Sequence, residues 1–275
     1  MAITVHPPLS FSQAGQRPHN EDYLSLSKER STEQSPLVYI VCDGVGGGAR
    51  GEIASAMVAQ VMNTQLQARE NGGDITAAVQ NAQRAIDNYV KMAPEARGMA
   101  TTLTLLYLDG DTATLAHMGD SRIYHLRGTQ LMRRTQDHSL VQELLTNDLI
   151  TPEQARNHPQ RNVITRAINE QIAAVGPEVL EVRDLMAGDL FFLCSDGILE
   201  AFNDEELTDL LGRPTPSDAE KMAAIEARCT EQSRDNFTAC LIRLGGVGVN
   251  SERSSTPAES SVASSLRALL SNLFG

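Results

Sequence analysis

Twice in this chain an apolar run reaches a cysteine and then stops at an aspartate followed by glycine. The stretches are LVYIVCDGVGGG at 37–48 and DLFFLCSDG at 189–197. Each run reads as a strand buried on both faces. A charge beside a core is costly unless it is paired or holds a cation. The pattern recurs at Asp120, after a third apolar run in AHMGDSR, and at Asp235, which opens RDNFTACLI. These carboxylates sit at sheet ends rather than on solvated helix faces, and the basic residues near them are too few to pair with all of them. Mg²⁺ or Mn²⁺ accepts oxygen ligands of this kind, and glycine beside a ligand lets a backbone carbonyl approach the ion.

A second element is GQRPHNEDY at 15–23. Arg17 offers a planar fork for two phosphate oxygens, and Glu21 and Asp22 are placed to hold metal-bound waters. An acidic cluster beside one arginine suits a phosphoryl group attacked by metal-activated water. Singly each feature has a plainer reading. Asp-Gly is a common turn, a lone arginine is most often a surface ion pair, and His138 in TQDHS reads as a structural histidine. Their joint occurrence carries the inference.

With 275 residues and 41% hydrophobic content the chain can build a substantial core. Its formal charge of −12 argues against a nucleic-acid surface. The four cysteines form no CxxC pair and read as buried free thiols in a reducing cytoplasm. The N-terminus lacks the pattern of a signal peptide, and no apolar stretch is long enough for a membrane span. A monomer is expected.

Residues 50–68 read as a helix with Ile53, Met57, Val61 and Met62 on one face. Asp74 caps a second helix carrying Ile75, Val79, Ala82, Ile86 and Val90. TTLTLLYL and TATLAHM flank a DGD turn as a hairpin, and RIYHL and QLMRR continue a meander. Residues 138–168 read as an excursion from the sheets. A helix is expected over 216–233 and a last strand over 237–244. From 245 to 275 a Gly/Ser-rich linker leads to Leu266, Leu269, Leu270 and Leu273, spaced as a short amphipathic helix. Residues 1–244 thus read as one domain and 245–275 as a tail.

RPHNED, DGVGG, GMATTL, GDSRIY, TQDHS, LFFLCSDG and DNFT occur in the order found in the metal-dependent protein serine/threonine phosphatases of type 2C. The chain resembles the bacterial branch of that family from about residue 8 to 244. The resemblance implies an α+β fold: a four-layer α-β-β-α sandwich, two antiparallel sheets flanked by helical pairs. It implies two Mn²⁺ or Mg²⁺ ions bridged by Asp43, one also taking the Gly44 carbonyl, the other held by Asp196 and Asp235. Bacterial members often hold a third ion, here on Asp120 with Asp196. Arg17 matches the phosphate-binding arginine. Glu21, Asp22 and Asn236, the last from DNFT, match groups around the ions and their waters. The excursion at 138–168 matches a flap that influences substrate choice. The implied reaction is direct hydrolysis of phosphoserine and phosphothreonine in proteins without a phosphoenzyme, opposing a serine/threonine kinase. Val45 stands where animal members carry a proposed general-acid histidine.

Two other readings compete. A phosphoprotein-binding pseudophosphatase would usually have lost ligand carboxylates. The strand, glycines and helix over VCDGVGGGARGEIA also resemble a dinucleotide-binding start, which requires a parallel sheet.

Overall fold

Leu37–Cys42 (β4) is buried along its whole length, as its unbroken apolar run demands. Its side chains alternate between two covers. Val38, Ile40 and Cys42 face one apolar layer, and Leu37, Tyr39 and Val41 face another. A strand that is apolar on both faces belongs in the middle of a layered fold, and that is where it lies. The structure is a computed structural model and describes residues 3–27, 35–45, 50–156, 158–171 and 176–246.

β4 lies in a five-stranded antiparallel sheet with Tyr23–Leu26 (β3), Leu103–Asp109 (β7), Thr112–Met118 (β8) and Glu178–Val182 (β12), ordered β12-β8-β7-β4-β3. Antiparallel neighbours on both sides of β4 exclude the dinucleotide-binding sheet. The other large sheet runs β1-β14-β13-β9-β10, from Thr4–Val5 (β1), Phe237–Gly246 (β14), Leu190–Cys194 (β13), Arg122–Arg127 (β9) and Gln130–Arg134 (β10). Leu9–Gln13 (β2) also pairs with β14. A small sheet joins Gly44–Val45 (β5), Ala100–Thr101 (β6) and Ile168–Asn169 (β11).

The two large sheets pack face to face through Tyr39, Leu106, Leu115, Ile123, Phe191, Leu193 and Ile242. Gly51–Gln67 (α1) and Ile75–Met92 (α2) cover the five-stranded sheet, with Met57, Val58, Met62, Val79, Ala82 and Ile86 buried beneath them. Asp74 caps α2 as expected, its side chain accepting from Ala77 N at 3.1 Å. Asp196–Ala201 (α5), Asp204–Gly212 (α6) and Asp218–Gln232 (α7) cover the other sheet through Ile198, Leu207, Leu211, Met222 and Ile225. The result is the expected α-β-β-α sandwich, with three helices rather than a pair on its second face among the described residues.

Some expectations need correction. The meander is two hairpins in different sheets: β7-β8 belongs to one, β9-β10 to the other, and the chain crosses between them at Gly119–Ser121. The last strand runs through Gly246, past the boundary drawn at Leu244, because Gly246 still pairs with Thr4. The excursion contains Leu140–Thr146 (α3) and Pro152–Arg156 (α4) and returns through β11. The amphipathic tail helix lies outside the described residues. All four cysteines are free and buried. No described helix is long and apolar enough to cross a membrane.

Candidate metal centre

Asp43 stands between β4 and β5, and its backbone is fully engaged. Its N–H donates to Thr102 Oγ1 at 3.0 Å. Its carbonyl accepts from Thr101 Oγ1 at 2.8 Å and from Thr102 N at 2.9 Å. The peptide is clamped and the carboxylate is what remains to act. Gly44 lies against the start of α1. A Cβ there would meet the Gly51 carbonyl carbon at 2.4 Å and the Glu21 carbonyl oxygen at 2.7 Å, so only glycine fits. Gly44 N donates to that same Glu21 oxygen at 3.1 Å, which brings the N-terminal segment to the site.

The second edge of the site comes from the other sheet. Asp196 opens α5 directly after β13. Asp235 lies two residues before β14, and its backbone N–H, with groups of its neighbours, is held by Glu200 of α5. The Glu200 carboxylate accepts from Arg234 N at 2.7 Å, Asp235 N at 3.3 Å and Ser233 Oγ at 3.2 Å. Asn236 stitches this corner to the N-terminal segment. Its Oδ1 accepts from Glu21 N at 2.8 Å, and its Nδ2 donates to the carbonyls of Ala14 and His19 at 2.8 and 2.9 Å. Arg17, on that segment, donates from Nη2 to Asp235 Oδ2 at 2.7 Å. More than half of its side chain remains exposed.

Asp22 and Asp120 are each 8% exposed, and in each the Oδ1 atom is buried without a hydrogen-bond partner. Ser195 Oγ donates to the other oxygen of Asp22 at 2.7 Å. The electrostatics follow from this crowding. Burial, and then the charges of Asp22, Asp196 and Asp120, push the Asp43 carboxyl far up, and a hydrogen bond to Asp196 holds the proton there. Burial and the charge of Asp235 raise Asp196 to about 6. Burial lifts Asp22 to about 7 and Asp120 to about 8, with Asp196 contributing repulsion to both. Glu21 is raised by burial and by Glu52. Carboxylates that hold protons near neutral pH and keep oxygens without partners are suited to hard divalent cations. The residues present therefore fit Mn²⁺ or Mg²⁺.

A different cluster, His117, His138 and Glu178, brings its ligand atoms within 4.8 Å of one another. Its hydrogen bonds argue against a metal there. His138 Nδ1 accepts from Gly119 N at 3.2 Å, so the ring proton sits on Nε2. His117 Nε2 lies 2.7 Å from the Gln136 carbonyl, which needs a proton on that nitrogen. Too few lone pairs remain. His138 is a structural histidine, as the sequence suggested.

The structure brings Arg17, Glu21, Asp22, Asp43, Gly44, Asp120, Asp196, Asp235 and Asn236 to one end of the sandwich. Sequence reasoning assigned no role to Thr101, Thr102, Ser121, Ser195 or Glu200, which hold these groups in place. Only Ser121 and Ser195 adjoin a carboxylate in the sequence; Thr101 and Thr102 stand in GMATTL, and Glu200 four residues past Asp196, with no local signal of their contacts.

A family model described as Protein phosphatase 2C matches residues 12–233. Serine/threonine protein phosphatase PstP of Mycobacterium tuberculosis is 38% identical over 198 residues, 70% of this chain. The match spans 37% of the length of PstP. Protein phosphatase PhpP of Streptococcus pneumoniae is 30% identical over 233 residues, covering 83% of this chain and 93% of that protein. A crystal structure of the catalytic domain of PstP in complex with two manganese ions aligns with a TM-score of 0.73 at 32% identity, covering 88% of this chain and 99% of that one.

Proposed function

The chain belongs to the protein phosphatase 2C family, and from that premise we propose that it is a serine/threonine phosphoprotein phosphatase dependent on Mn²⁺ or Mg²⁺. The observation that carries the reading is the convergence of Asp43, Asp120, Asp196 and Asp235, with the carboxyls of Asp43, Asp120 and Asp196 raised by burial and an Oδ1 of Asp22 and of Asp120 buried without a partner. Retention of these carboxylates favours catalysis over a binding-only pseudophosphatase.

Asp43, with the Gly44 carbonyl, and Asp196 and Asp235 hold two ions in this reading, and Asp120 with Asp196 holds a third. When bound, the cations lower the pKa of a coordinated water and neutralise phosphoryl charge. The chain's own groups do the rest. Thr101 and Thr102 fix the Asp43 peptide so that its carboxylate faces the site. Glu200 fixes Asp235. Arg17, exposed and already on the Asp235 carboxylate, presents its fork to phosphoryl oxygens entering beside it. Asn236 keeps that arginine's segment in register with Asp235. Residues 1–246 act as one phosphatase domain with a flap at 138–168, as a cytoplasmic monomer opposing a serine/threonine kinase.

The test is hydrolysis of phosphoserine, phosphothreonine and phosphotyrosine peptides with Mn²⁺, Mg²⁺ or chelator. Turnover of the first two with metal and none with chelator is expected. Asp196→Asn should lower kcat by more than about 100-fold while the circular dichroism spectrum stays native. Full activity in chelator, or in Asp196→Asn, defeats the proposal.

A further inference from the structure

We propose that Asp137 and His138, at the entry to the flap, are positioning residues for Asp120. They hold the backbone frame on which that carboxylate stands to receive a divalent cation. The inference rests on the reading of Asp120 as a cation ligand.

Asp120 lies in the crossover between the two large sheets, where no strand partner fixes the chain. Its flanks are fixed by the flap base instead. On one side, His138 N donates to the Gly119 carbonyl at 2.8 Å, and Gly119 N donates to His138 Nδ1 at 3.2 Å. Gly119 adopts φ +113°, and a Cβ there would meet Thr102 Cγ2 at 2.5 Å, so the crossover leaves no room for another residue. On the other side, Arg122 grips Asp137 at two points, Nε to Oδ1 at 2.7 Å and Nη2 to Oδ2 at 2.6 Å. That guanidinium is held in turn by Asp204, which accepts from Arg122 Nη1 at 2.8 Å and Tyr124 OH at 2.5 Å. Between the flanks, Ser121 shares a hydrogen bond with Thr102 at 2.8 Å, tying the turn to the clamp on Asp43.

The chain is thus bonded on both sides of Asp120, yet its own Oδ1 is buried with nothing to bond, as is Nε2 of His138 on the far edge of that ring. A rigid frame around one open carboxylate is the arrangement in which outer residues set the orientation of a ligand. The His138 ring is itself fixed, stacked on His117 with centroids 4.4 Å apart. The frame also reaches the far side of the flap: Thr165 N donates to the His138 carbonyl at 2.8 Å and Leu140 N to the Val163 carbonyl at 2.9 Å.

The experiment titrates metal-stripped full-length protein with Mn²⁺, reading free Mn²⁺ by electron paramagnetic resonance. Asp120→Asn identifies which class of bound ion needs that carboxylate. Asp137→Asn and His138→Leu should weaken that same class by about 10- to 100-fold and leave the other ions unchanged. His138→Asn, whose Oδ1 can accept from Gly119 N, should restore most of the affinity. Arg122→Lys, which keeps the charge and loses the two-point grip, should repeat the Asp137→Asn result and serves if that variant does not fold. Asp218→Asn breaks a comparable half-buried pair with Arg243 elsewhere. It should lower the melting temperature without moving Mn²⁺ affinity. Wild-type affinities in Asp137→Asn and His138→Leu, or equal losses in Asp218→Asn, overturn the inference alone. If Asp120→Asn removes no class of ion, or the wild type binds none, the reading of Asp120 falls and the inference falls with it.

Discussion

Thr102 has one hydroxyl that serves two partners. It accepts from Asp43 N at 3.0 Å and shares a hydrogen bond with Ser121 at 2.8 Å, in a residue wholly shielded from water. Thr102→Val keeps the shape and removes the oxygen. The Asp43 N–H is then left buried without a partner, at a cost of about 1–3 kcal/mol. Mn²⁺ affinity should fall by about 10- to 100-fold as the ligand loses its clamp. Denaturant melts and Mn²⁺ titration measure both, and an unchanged affinity would show that the clamp does not serve the ligand. The carboxylates themselves were legible in the sequence because a charge closing an apolar run is costly and rare. The hydroxyls were not, since Thr and Ser occur throughout the chain and only the packed strands show which of them meet Asp43, Asp22 or Ser121. Glu200 was hidden for the same reason: its contact with Asp235 crosses from a helix to the start of a distant strand.

Among the elements, α2 was the easiest to read, because its cap and its apolar stripe agree. Asp74→Ala removes the bond to Ala77 N. It should lower stability by about 0.5–2 kcal/mol and leave Mn²⁺ affinity and turnover unchanged, since α2 contributes no ligand. A thermal melt beside a phosphopeptide assay checks both halves, and lost activity at intact fold would tie α2 to the site. The six-residue α5 went unread, because its first residues form the Asp-Gly pair that suggests a turn. β1, β5, β6 and β11 are two-residue strands whose pairing comes from partners far along the chain, which no local pattern records. The false meander has a similar cause. Each hairpin is correct locally, and the change of sheet at Gly119–Ser121 depends on which apolar face each strand offers to the sandwich.

In the molecule as a whole, the sandwich brings acidic groups from separate segments to one end and buries them together. Asp120, Asp22 and Asp196 ordinarily titrate near 3.8, and in the fold they rise to about 8, 7 and 6 through burial and mutual repulsion. Between those limits the folded chain binds protons that the unfolded chain has released. Stability of the metal-free protein should therefore fall as pH rises from about 4 to 8. Cations held among the carboxylates replace those protons and remove the dependence. Calorimetric titration of metal-stripped protein with Mn²⁺, in buffers of differing ionisation enthalpy, counts the protons that leave as the ion enters. Uptake with clear proton release at pH 6 to 7, shrinking as pH approaches 9, is the expected outcome. Absence of uptake, or uptake that displaces no protons at pH 6, would mean that divalent ions do not hold these acids together.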